Sequence, residues 1–119
     1  MSTLIFNVSA TPDLVDSSVG EQEVEISWDA NMTVASDNPV NIELNLHPDS
    51  PVFFVSTNNR RVKTVVWQQN LNTGFHHYRE TVVITVTQPQ SQTQVTKLRM
   101  DTRDSGGVMS SGITFLMYQ

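Results

Sequence analysis

The chain has 119 residues, enough for one domain with a single two-layer core, and no cysteine, which excludes a disulfide framework, a thiolate metal site and thiol redox chemistry. Its formal charge of -5 conceals a division: residues 1–59 carry nine acids and no Lys or Arg, whereas residues 60–119 carry all seven bases and three acids. The halves therefore stand at -9 and +4, an asymmetry that arises either from strands of opposite halves lying side by side or from docking onto a partner.

Ser, Thr, Asn and Gln supply 42 residues, while good helix formers are scarce, so the composition favours strands and turns. Alternation of period two runs through the chain from its start. Thr3 to Val8 reads as a first strand, and "TPDLVDSSVGEQ" after it carries turn chemistry. In Glu23 to Asp29, Val24, Ile26 and Trp28 point one way and the acids the other, the pattern of a half-buried antiparallel strand. Val40 to Leu46 repeats it with Val40, Ile42, Leu44 and Leu46 inward, and "HPDSP" at 47–51 predicts a sharp turn. Val52 to Val55 and Arg61 to Trp67 follow. After Gly74, Phe75 to Glu80 form the entry to an apolar strand, Thr81 to Thr87; the last strands are Thr93 to Met100 and Ile113 to Tyr118, with "DSGGVMSSG" read as the turn between them. The expected fold is all-β: a two-sheet antiparallel sandwich of about 7–8 strands spanning residues 1–119.

The strand "EVEISWDA" with its inward Trp28, and "YRETVVITV" with Tyr78 at its mouth, resemble the second and sixth strands of immunoglobulin-like and fibronectin type III-like domains. The resemblance implies that Tyr78 hydrogen-bonds backbone across a corner, and it implies no chemistry.

No nucleophile elbow, phosphate-binding glycine loop or zinc-binding His-Glu pattern is present. The chain accordingly reads as not an enzyme, with no catalytic residues, no metal ligands and no cofactor. His76 and His77 are adjacent, but in an extended strand Phe75, His77 and Arg79 share one face and His76, Tyr78 and Glu80 the other, so the two imidazoles cannot hold one metal ion. His47, beside Pro48, needs no role beyond an exposed turn. Asp101 and Asp104 lack the alternating carboxylate spacing of a calcium loop.

Candidate binding residues are Arg60, Arg61, Trp67, Phe75, His76 and His77. Arg60, Arg61 and Lys63 with Trp67 form a small basic-aromatic patch. Net acidity argues against nucleic acid and in favour of a solvated strand edge that discourages unwanted pairing. Trp67 flanked by Gln68, Gln69 and Asn70 has the parts of a sugar platform. The charge division leads to the expectation of a non-catalytic structural protein that docks into a larger assembly such as a phage or virion, with protein partners, as a homo-oligomer or larger complex and without nucleic acid. A carbohydrate-binding module with a glycan partner is the alternative, and a metal-dependent enzyme the third. The segment from Met1 to Val8 lacks a basic leader pattern, and no run approaches the roughly 18 apolar residues of a membrane helix. The expectation is a chain synthesised in the cytoplasm, without membrane insertion.

Overall fold

Strands of alternating polarity bury one face and leave the other to water, and the computed structural model is built of such strands. It describes residues 3–32, 40–55, 60–68, 74–104 and 107–119. Nine strands run through them: β1 (Thr3–Thr11), β2 (Leu14–Val15), β3 (Gln22–Met32), β4 (Val40–Leu46), β5 (Val52–Phe54), β6 (Val62–Gln68), β7 (Gly74–Val86), β8 (Gln94–Asp104) and β9 (Gly107–Tyr118). The protein is all-β in two sheets, ordered β1-β3-β7-β5 and β2-β9-β8-β4-β6.

Two details differ from expectation. Leu14 and Val15, inside a segment read as a turn, form a short strand parallel to Met117 and Tyr118 of β9, so the pairing is not wholly antiparallel. Residues 107–112, also read as turn, belong to β9. Their Gly and Ser content hides a strand from propensity, because the β8–β9 ladder is set by partners such as Met100↔Gly112 and Thr102↔Ser110.

The inward alternation held. Val24, Ile26, Trp28 and Ala30 of β3, Val82, Ile84 and Val86 of β7, and Val52 and Phe54 of β5 are buried from the four-stranded sheet. Ile42, Leu44 and Leu46 of β4, Leu98 and Met100 of β8, and Leu116 of β9 are buried from the five-stranded one. They form one apolar cluster with Ile5 and Val15, and each fully buried large side chain stabilises the fold by about 1.5–3 kcal/mol. Trp28 pairs with Tyr78 in register, their rings stacked with centroids 5.9 Å apart, so the two strands singled out from the sequence are neighbours in one sheet.

The ladders also account for the charge division. Acid-bearing β3 pairs with β7, β4 pairs with β8 and β6, and β2 with β9, so strands of the two halves interleave within each sheet. Arg103 on β8 reaches Glu43 on β4 at 3.3 Å. Among the described residues no helix is long and apolar enough to cross a membrane.

Candidate functional site

At the end of β4 the backbone ties three basic residues together. Leu46 N–H donates to the carbonyl of Arg61 (2.8 Å), and His47 N–H donates to that of Lys97 (3.3 Å). The turn that the prolines dictate then closes: Ser50 N–H and Oγ both donate to His47 O (3.2 and 2.9 Å), and Asp49 N–H donates to His47 Nδ1 (3.1 Å). Arg61 is held over it, with Nη2 donating to Ser50 O (2.9 Å) and the guanidinium 4.2 Å from the Phe53 ring centroid. Arg60 lies 6.0 Å from the same ring.

Two clefts meet at this turn and share His47 and Lys97. One, of about 680 Å³, is bordered by Arg61, Arg99 and Ile113; the other, of about 310 Å³, by Asp49, Phe115 and Tyr118. They open on the outer face of the five-stranded sheet, where cross-strand pairs set Lys97 beside Phe115 and Arg99 beside Ile113. Phe115, Ile113 and Val95 are 55%, 51% and 62% exposed, an apolar surface on a face that alternation leaves to water. Further along β8, buried Asp101 accepts from Ser111 Oγ (2.6 Å) and Arg99 Nε (3.2 Å), with Arg103 Nη2 at 3.9 Å. That network fixes the guanidiniums of β8 on the surface.

The opposite sheet holds the histidine pair. His77 and Asp29 are register partners, with Nδ1 2.6 Å from Oδ1, and Asn7 Nδ2 donates to Oδ2 at 3.0 Å. Asn7 reaches Asp29 from a bulge in β1 where its φ is +54°, a left-handed conformation that Asn tolerates. The hydrogen bonds from Asn7 and then His77 hold the Asp29 carboxyl below the usual carboxylate range. Phe75, 76% exposed, meets Phe6 edge-on at 6.2 Å, and both border a cleft of about 370 Å³ with His76 and His77.

The structure thus separates the predicted residues. Arg61 borders the cleft at the β4 end and Arg60 lies near the Phe53 ring beside it; Phe75, His76 and His77 lie on the other sheet, where the half-buried and exposed positions alternate from Gly74 to Glu80 and turn the two imidazoles to opposite faces. The Trp67 side chain, and Gln69 and Asn70 with it, lie outside the described residues. Sequence reasoning missed His47, Lys97, Arg99, Ile113 and Phe115. Their signal was present in the alternation of "QVTKLRMDTRD" and "GITFLMY", which puts Lys97 and Arg99 on one face and leaves Ile113 and Phe115 opposite the buried Leu116. Among the described residues no three His, Asp or Glu side chains converge as metal ligands.

No family model and no curated protein matches the chain. Among solved structures it is similar to the Pseudomonas fluorescens alkylpurine DNA glycosylase AlkC bound to DNA containing an abasic site analog, with a TM-score of 0.60 at 13% identity. The match covers 99% of this chain and 30% of that one. It corrects the expectation of a non-catalytic assembly subunit, neither enzymatic nor in contact with nucleic acid: this all-β fold also forms part of an enzyme bound to DNA. The electrostatic arguments behind that expectation fail for a local reason. Strands of the two halves interleave, so the charge division that motivated docking does not lie in two separate blocks, and net acidity does not describe the β4 end, where His47, Arg61, Lys97 and Arg99 border joined clefts. At ordinary ionic strength charges beyond about 8–10 Å are largely screened, so the groups within a cleft outweigh distant acids.

Proposed function

We propose that the chain is a DNA-contacting β-domain of a DNA-processing enzyme, and that the clefts at the end of β4 form its nucleic-acid interface. The observation that carries this reading is the convergence of Arg61, just ahead of β6, with Lys97 and Arg99 of β8 on one cleft whose rim continues into exposed apolar side chains. Cations supply the sequence-independent attraction to phosphates, and apolar or aromatic side chains supply contacts to bases. The fold likeness to a DNA-bound glycosylase supports the same partner.

Within this reading we take the two sheets as an immunoglobulin-like sandwich. The order β1-β3-β7-β5 beside β2-β9-β8-β4-β6 and a single shared core support it. In that pattern the second and sixth strands belong to opposite sheets. Because β7 pairs with β3, the strand that carries Tyr78 takes the fifth place in this reading.

The test is fluorescence anisotropy with labelled DNA from about 50 to about 200 mM salt, where each lost phosphate contact lowers the log–log slope by roughly 0.7–0.9. Lys97→Ala should lower the slope by about one such unit. Absence of DNA binding at the low-salt end refutes the proposal.

A further inference from the structure

The face beside the clefts narrows the class of nucleic acid, on the reading that this site contacts DNA. On β8 and β9, a cation and an apolar side chain sit directly opposite each other twice in succession: Lys97↔Phe115, then Arg99↔Ile113. Side chains of such a pair lie about 4.5–5.5 Å apart at Cβ, and the next pair on the same face is two residues on, about 6.8 Å along the strand. Bases stacked in a B-form strand rise only 3.4 Å each, so a duplex cannot set successive bases on successive pairs. An extended single strand can splay its bases to that wider spacing, because it has no partner strand to keep them stacked.

Exposure agrees with this assignment. Phe115 and Ile113 present half or more of their surface to solvent on a sheet face, and Val95 continues the apolar row beyond them. Lys97 has no ion pair among the described residues, while Arg99 is oriented by Asp101. Among the described residues, the acid that borders this end of the groove is Asp49, in the turn after β4.

We propose that the outer face of β8 and β9 takes single-stranded DNA, with unpaired bases lying on Phe115 and Ile113 and backbone phosphates on Lys97 and Arg99. Bases on an aromatic platform are held through their π-faces, so the site has little sequence preference.

Anisotropy with three fluorescent probes tests this: a short oligothymidylate, an abasic strand of the same length and charge, and a duplex. The oligothymidylate should bind about tenfold more tightly than either of the others, Phe115→Ala should remove that preference, and Phe115→Tyr should keep it. Phe115 is exposed, so the variants fold, which far-UV circular dichroism checks. Equal affinity for the three probes, or a preference unchanged in Phe115→Ala, overturns the single-strand assignment while leaving DNA contact standing. Binding to none of them overturns both.

Discussion

Gly112 of β9 sits where β1 of the other sheet crosses it, and Gly112→Ala probes how the sheets meet. A Cβ at this position would lie 2.6 Å from Val8 Cγ2 and 3.3 Å from Ile5 Cγ2, where ordinary carbon contacts fall at about 3.5–4.0 Å. Val8 must retreat by roughly 1 Å to restore contact distance, yet it is β-branched and stiff at χ1, and it packs against the core. The neighbouring Ile5 N–H donates to Ser110 Oγ at 3.0 Å, which limits how far β1 can lift. Overpacking of this kind costs about 1–3 kcal/mol, and for a chain of this size each kcal/mol lowers Tm by roughly 4 °C. Thermal and urea unfolding should show Gly112→Ala less stable by that amount, and Val8→Ala in the same chain should recover much of it, with a coupling of about 1–2 kcal/mol in the double-mutant cycle. An alanine without a clash raises stability by about 0.4–1 kcal/mol through the unfolded chain. A variant as stable as the parent, or more so, would therefore refute the close approach of β1 and β9.

Leu98→Ala, at a fully buried position of β8, should cost about 2–5 kcal/mol in urea unfolding, since both sheets surround the cavity it leaves. Asp101→Ala removes the acceptor for Ser111 and Arg99 and should cost about 1–3 kcal/mol, the half-exposed guanidiniums being partly rehydrated. Asn7→Ala should raise the Asp29 pKa toward the ordinary value of 3.8, read by carboxyl chemical shift against pH, because one of the two side-chain hydrogen bonds that lower it is lost. In the parent, Asp29 has a folded value below its unfolded one. Its contribution to stability is therefore full above the unfolded value and disappears as pH falls through the lower folded value. Asn7→Ala should narrow that window, and an acid-unfolding profile identical to the parent's would show that the Asn7 bond carries no stability.

The faces of the strands were legible in the sequence wherever polarity alternates. Val40 to Leu46 has the expected bounds, and Ile42, Leu44 and Leu46 are buried as the pattern requires. The opposed directions of His76 and His77 followed from the same period of two. Where Gly and Ser replace the alternation, as in residues 107–112, the strand was hidden, since there the ladder to β8 decides the conformation. Leu14 and Val15 are too short a run to show any period, and their pairing with β9 comes from a contact about a hundred residues away in sequence.

The candidate site was legible only in part. Arg60 and Arg61 were visible as a basic pair, and "HPDSP" as a turn, but nothing local connects them with Lys97. That connection is made by two backbone hydrogen bonds, from Leu46 to Arg61 and from His47 to Lys97. The charge division shows the same limit: composition counted the charges, and strand order placed β3 against β7 and β4 between β8 and β6. The sequence by itself determined the all-β class, the turn after β4 and, where polarity alternates, which side chains share a face, because side-chain alternation is a local property of an extended backbone. Tertiary structure alone decided which faces meet, that Asp29 finds His77 48 residues away, and that cations from two distant segments border one cleft beside an apolar row. Pairing of distant strands depends on register and packing summed over the whole sheet, which no short stretch of sequence contains.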